Sequence, residues 1–353
     1  MKNINVQYEI SSPLFMGGAD PKKEAEFRIS GLNGVLRFWY RALAWCRYNG
    51  KIRKIKHEEI DLFGGMTSDG VTAKRAFNYK TTSKNLTSRE NPQFNNKDIE
   101  YLGYGAVDSG DEKGMKCIEK WATINITLNF WRRVKDENYL LLCEALKCLG
   151  LLGGIGSRSR NGFGSLTLLS LSNGENIWSP PTNRQELQSE IEKIRPDSCP
   201  EKYPDFTAFG PDFRFSIGNE SAKPYKVLES AGKKLKDYRK AFNINDAGEV
   251  RKALRGGPSS CPKRAIFGLP HNYFFKEDSL KAQVTGEEHD RRASPLFIHV
   301  HKLNTNSYVA VWSIFPSVFL PGNSKILIQD QDKPSNKLVV NQPDYNILKR
   351  LVN

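Results

Sequence analysis

Residues 152–166 read LGGIGSRSRNGFGSL. Five glycines (Gly153, Gly154, Gly156, Gly162 and Gly164) surround Ser157, Arg158, Ser159 and Arg160. Glycine permits positive φ and close approach of a backbone to a ligand, and arginine supplies a planar cation that matches phosphate. The P-loop pattern G-x-x-x-x-G-K-[ST] is excluded, because no lysine follows either candidate glycine. The dinucleotide pattern G-x-G-x-x-G fails as well, since Ser159 stands where the third glycine belongs. YLLLCEALKCLGLL before the loop is apolar at helical spacing, and FGSLTLLSL after it is β-prone. The loop therefore turns a helix into a strand, the reverse of both nucleotide motifs. Glycine amides, serines and arginines together point to contact with a polyanion. A plain helix-capping turn is the competing reading.

Outward from the loop the pattern is β-α-β-β-α-β. NINVQYEIS (3–11) has strand character, and GLNGVLRFWYRALAWCRY (31–48) is an amphipathic helix. Residues 50–66 read as a basic, then acidic, connector, and 70–114 as a hairpin or insertion whose structure the sequence leaves open. KWATINITLNFWRR (120–133) alternates as a strand, and a helix over about 138–151 and a strand over 163–171 follow. This is the ferredoxin-like split unit. The polar stretch over 173–205, with a short helix at RQELQSEIEKI, reads as a linker. FRFSI, the lysine-rich helix around GKKLKDYRK and three later β-rich segments fit a second, degenerate copy. The expected class is α+β, with two ferredoxin-like (RRM-like) domains in tandem. They occupy residues 1–180 and 206–353, with 181–205 between them.

The 353 residues carry a formal charge of +14. Such a surplus calls for an anionic partner, and nucleic acid fits better than a membrane because no run of 18 apolar residues exists. No secretory leader is visible, so the expected compartment is the cytoplasm. The six cysteines (Cys46, Cys117, Cys143, Cys148, Cys199 and Cys261) form no C-x-x-C pair and read as reduced, structural residues. Neither a metal nor a cofactor is expected. Glu287, Glu288, His289 and Asp290 are consecutive, and Arg291 and Arg292 oppose a cation there.

Arg37 and Arg41 share one face of the first helix, which opens with Gly31 and Gly34, and are expected to reach a nucleic-acid backbone rather than stand as solvated charges. Arg158 and Arg160, one residue apart, would project to the same side and straddle neighbouring phosphates. Trp39, Tyr40 and Trp45 could serve as stacking platforms, but their place on an apolar helix favours core packing. His271 in GLPHNYFF is the sole candidate for general acid–base work, without an obvious catalytic partner.

PLFMGGADP, GLNGVLRFWYRAL, LFGG, GGIGSRSRNGFGSL, KRAIFGLPH and RRASPLFIHV together resemble the RAMP (repeat-associated mysterious protein) superfamily of CRISPR systems. Within it they look like the first-numbered subunit family of the type III-B Cmr effector. The matches run from residue 8 to about residue 300. The resemblance implies two RAMP modules and a non-catalytic subunit that contacts the guide RNA (crRNA) or its target single-stranded RNA, beside other Cmr RAMP subunits. RNA contact carries over to Arg37, Arg41, Gly153, Gly154, Gly156, Arg158, Arg160, Gly162 and Gly164, and less firmly to Lys263, Arg264, Arg291 and Arg292. LRGGPSS (254–260) is a poor copy of the first loop. A metal-independent RAMP endoribonuclease that processes guide RNA is the alternative, and a protein-only scaffold a third.

Overall fold

In β1 (Asn3–Ile10) the apolar residues Ile4, Val6, Tyr8 and Ile10 are buried at every second position, so one face of the strand turns inward. The computed structural model describes residues 2–352 apart from 68, 85, 93, 109–112, 175–177, 278, 304 and 305. After β1 come α1 (Ile29–Arg47), α2 (Ile52–Phe63), β2 (Phe77–Lys84), α3 (Lys97–Gly103), β3 (Thr123–Phe130), α4 (Asp136–Leu152) and β4 (Leu166–Ser172). The sheet order is β2-β3-β1-β4 with every pair antiparallel. With α1 and α4 as the two crossover helices, this is the ferredoxin-like topology. Trp39, Tyr40 and Trp45 lie in its core, as their helical spacing predicts.

Residues 50–66 are not a connector. Most of the stretch is α2, whose buried face includes two carboxylates, Glu58 and Glu59. They are tolerated because each has partners: Asn138 Nδ2 donates to Glu58 at 2.6 Å, and Arg37 Nε to Glu59 at 2.7 Å. The undetermined stretch 70–114 supplies β2, the second strand of the unit, and α3.

The segment after β4 carries α5 (Arg184–Ile194), which packs on α4 through the buried Leu187, Ile191 and Ile194. Beyond it, Cys199 is disulfide-bonded to Cys46 at the end of α1. This corrects the expectation of six reduced cysteines; Cys117, Cys143, Cys148 and Cys261 are free thiols. A sequence separation of 153 residues carries no local signal for such a bond.

The second half runs β5 (Arg214–Ile217), α6 (Pro224–Lys240), α7 (Asn243–Leu254), β6 (His271–Phe275), β7 (Leu280–Gly286), β8 (Leu296–Lys302), β9 (Tyr308–Ile314), β10 (Ile326–Asp330), β11 (Lys337–Val340) and α8 (Asn346–Val352). β8-β9-β5 repeats the 2-3-1 order of the first unit, with α6 and α8 on it. Among the described residues no fourth strand closes this sheet. A separate antiparallel sheet, β6-β7-β10-β11, flanks it.

β8 and β9 are buried along nearly their whole length, because each face of their sheet meets a different core. Phe297, Val309, Val311 and Phe315 join the core of the first half, whereas Ile298, Val300, Ala310 and Trp312 join that of the second. α4 lies between the two sheets, which is why YLLLCEALKCLGLL is apolar almost all round. His299 and His301 sit on the face of β8 that meets α4, both buried. His299 Nδ1 lies 2.6 Å from the Gly153 carbonyl, and His299 Nε2 lies 3.3 Å from His301 Nδ1. Carbonyl acceptance requires a proton on His299 Nδ1, so His301 donates to His299 Nε2.

Burial pulls His299 down to about 4, against the opposing hydrogen bond to Gly153. An unfolded imidazole binds its proton near pH 6.5 (about), so between that pH and about 4 the unfolded chain holds more protons. Stability must therefore fall as pH drops through this window. The expected contribution of His299 to the loss is roughly 3 kcal/mol. Urea unfolding from neutral to acid pH checks it: His299→Asn should show a shallower acid limb, and an unchanged limb would exclude the linkage.

Candidate nucleic-acid interface

The glycine-rich loop is folded by its own backbone. Gly153 closes α4, its N–H donating to the Leu149 carbonyl at 3.2 Å. Gly156 (φ 88°) and Gly164 (φ 58°) adopt left-handed backbone, and a Cβ on either would strike a carbonyl oxygen, that of Phe15 or of Ile155. The N–H groups of Ile155, Ser157 and Gly164 donate to Gly164, Phe15 and Pro13 at 2.9, 2.7 and 2.8 Å. Gly153, Gly154, Gly162 and Gly164 are buried. The expectation of a cradle of glycine amides is thus corrected: the glycines bring chain against chain inside the protein, and the four buried ones face no solvent. Of the loop's polar residues, Ser157 and Arg158 are exposed, and Ser159 and Arg160 half-buried.

Arg158 and Arg160 do not share an environment. Arg158 sits at φ 60° and faces outward beside Gly105. Arg160 turns inward, over the Phe297 ring at 4.5 Å and the Phe38 ring at 5.6 Å, and donates to the Ser294 carbonyl. Burial first, then the charge of Arg292, lowers its guanidinium to about 10, still fully charged at neutral pH.

Both arginines nevertheless line one cleft of about 760 Å³ between the two halves. The end of α3 (Tyr101 and Tyr104) forms one wall, fastened to the loop by Asn161 Nδ2, which donates to the Leu102 carbonyl at 2.9 Å. Arg239 comes from α6. Residues 267–272 and 291–296 complete the cleft, joined where Leu269 N–H donates to the Arg292 carbonyl at 2.8 Å. Five arginines (Arg158, Arg160, Arg239, Arg291 and Arg292) line it, and no carboxylate does. Such a field attracts polyanions and has no internal counter-charge to displace. Tyr104, 74% exposed at the rim, offers a ring face for a base.

His271 lines the same cleft. Burial, with the charges of Arg239 and Arg264 next, depresses it to about 3, so it is neutral at physiological pH. A base that weak is far from the neutral pKa that general acid–base catalysis favours.

The other anticipated residues lie elsewhere. Arg37 Nε and Arg41 Nη1 approach Glu59 Oε1 at 2.7 and 3.4 Å, and the Glu59 side chain is only 5% exposed. Their first task is to compensate that carboxylate, and neither lines the cleft. Arg264 Nε donates to Asp246 Oδ2 at 3.1 Å, while Lys263 extends over Phe242 toward a second hollow shared with Arg350.

Sequence reasoning missed Tyr101, Tyr104 and Arg239. The tyrosines belong to the undetermined stretch. Arg239 carried a readable signal: Leu228, Ala231 and Leu235 form the buried stripe of α6, and Arg239 continues it at i+4. A cation on an apolar stripe is either paired or aimed at a ligand.

Residues 7–167 match the RAMP superfamily. Two curated relatives come from Pyrococcus furiosus. CRISPR system Cmr subunit Cmr1-2 is 28% identical over 176 residues, 46% of this chain and 93% of that one. Cmr subunit Cmr1-1 is 25% identical over 308 residues, 84% and 82% of the two chains. Among solved structures, apo Cmr1 from Pyrococcus furiosus shares the fold with a TM-score of 0.63 at 14% identity, covering 100% of this chain and 96% of that one. A chain of the type III-B Cmr-beta complex bound to cognate target RNA aligns with a TM-score of 0.52 at 15% identity, covering 99% and 98%. The region that matches the RAMP superfamily carries most of the β2-β3-β1-β4 sheet and the whole glycine-rich loop, and the curated proteins this chain is similar to are Cmr1 subunits of CRISPR Cmr systems.

Proposed function

We propose that this protein is a non-catalytic, RNA-binding subunit of a type III-B Cmr effector in the cytoplasm. It would hold guide RNA or its single-stranded target beside other Cmr RAMP subunits. Residues 1–180 and 206–353 are read as its two RAMP modules, with 181–205 as the linker that joins them. The observation that carries the proposal is the arginine cleft without a carboxylate, in a chain of net charge +14. Kinship with Cmr1 subunits supports it, as does the target RNA present in the related Cmr-beta assembly. No helix among the described residues is long and apolar enough to cross a membrane.

RNA enters the cleft along its exposed rim, where Arg158 and Arg291 meet phosphates and the Tyr104 ring takes a base. Arg158→Ala should weaken binding of a single-stranded RNA by about 1.5–3 kcal/mol, the size of one charged hydrogen bond. It should also lower the slope of log K against log salt by about one unit, the mark of one lost phosphate contact. Equilibrium titrations at several salt concentrations check both, and a salt-insensitive affinity would remove RNA from the account. The nuclease alternative rests on His271. Guide-repeat and target RNA incubated with the protein without metal should stay intact, and a specific product abolished by His271→Ala would reverse the assignment.

A further inference from the structure

The cleft holds two kinds of arginine. Arg158 and Arg291 stand at its exposed rim, whereas Arg160, Arg239 and Arg292 are drawn into its floor. Elsewhere several half-buried arginines meet a carboxylate, Glu59 for Arg37, Asp61 for Arg132 and Asp246 for Arg264, while Arg75 and Arg184, standing singly, donate to backbone carbonyls. The floor arginines have none among the described residues. Arg292 donates to Ser317 Oγ at 2.6 Å and Arg160 to a backbone carbonyl, while Arg239 lies against the rings of Tyr101 and Phe267 at 5.6 and 5.1 Å. Arg239 Nε, Arg292 Nε and His271 Nε2 are buried without a hydrogen-bond partner.

Three desolvated guanidiniums without a counter-charge are unfavourable unless a compact anion completes the site. A phosphodiester within a strand brings one negative charge. A phosphate monoester brings about −1.5 to −2 and three strong acceptor oxygens, closer to what the floor leaves unsatisfied. Resting on the RNA-binding reading above, we propose that the floor of the cleft, at Arg160, Arg239, Arg292 and His271, holds the terminal phosphate monoester of an RNA strand. The strand then leaves over the rim, with its end base against Tyr104. The protein thereby recognises a phosphorylated end rather than a passing backbone.

The test compares one short RNA sequence with hydroxyls at both ends, with a 5′-phosphate, and with a 3′-phosphate, by fluorescence anisotropy. One phosphorylated form should bind the wild-type protein at least about tenfold more tightly than the hydroxyl form. Which form it is identifies the end recognised. Arg239→Gln should abolish that ratio, whereas Arg158→Ala should weaken all three forms by a common factor and keep the ratio. Circular dichroism verifies that Arg239→Gln is folded; if it is not, Arg239→Lys replaces it and should reduce the ratio. Inorganic phosphate should compete more strongly with the phosphorylated form than potassium chloride of equal ionic strength. Equal affinities for all three forms would overturn the end-recognition proposal and leave the RNA-binding reading standing. Absence of binding to every form would overturn both.

Discussion

Ile298 N–H donates to the Arg160 carbonyl at 2.8 Å, Val300 N–H to Ser165 Oγ at 3.0 Å and Lys302 N–H to Thr167 Oγ1 at 2.9 Å. This ladder joins β8 of the second half to the loop and β4 of the first, and the rest of the structure depends on it. Two of its acceptors are buried hydroxyls rather than carbonyls. They are completed in turn, Ser165 Oγ donating to the Gly162 carbonyl at 3.0 Å and Thr167 Oγ1 lying 2.6 Å from Ser11 Oγ. Leaving any member unpaired in that position would cost about 1–3 kcal/mol. The seam therefore tolerates one register only.

That register places the functional residues. The glycines let the loop pass between residues 13–15, which follow β1, and β8 without side-chain volume, and within it Arg158 faces solvent while Arg160 lies over Phe297. A second contact brings in α3, because Gly232 on α6 lets the α3 backbone at Asp98 come so close that a Cβ would collide with it. The cleft is thus built by two separate stretches of the first half and three of the second. Its electrostatics follow from what those stretches omit: none of them contributes a carboxylate to the lining, and Asp246, whose charge reaches Arg239, is paired with Arg264.

The first unit was largely legible because its elements have one-sided periodicity. The stripe of α1 and the alternation of β3 emerge directly from the sequence, and with them the ferredoxin-like order. α2 was not legible, since two of its five buried residues are carboxylates whose partners lie on α1, at Lys135 and at Asn138. β2, FNYKTTSK, is mostly polar and becomes a strand by pairing with β3. The loop arginines and Arg291 and Arg292, which line the cleft, stand out in the sequence by their arginine content, whereas the pairing of Arg37 and Arg41 with Glu59 was not legible because that partner is 18 to 22 residues away in sequence. The disulfide left no trace at all, as its two cysteines meet only once α5 has packed on α4.

A chain of this length with two sheet systems would ordinarily melt in stages, one module surviving the other. The two-faced sheet of β8 and β9 opposes that outcome. Its residues are shared alternately between both cores, so neither core can lose its partner without exposing half of a buried strand. The halves are thereby thermodynamically merged, and amide hydrogens in β4 and β8 should be released together in a single cooperative opening. A ligand in the cleft, touching both sides of the seam, then stabilises the entire molecule rather than one domain.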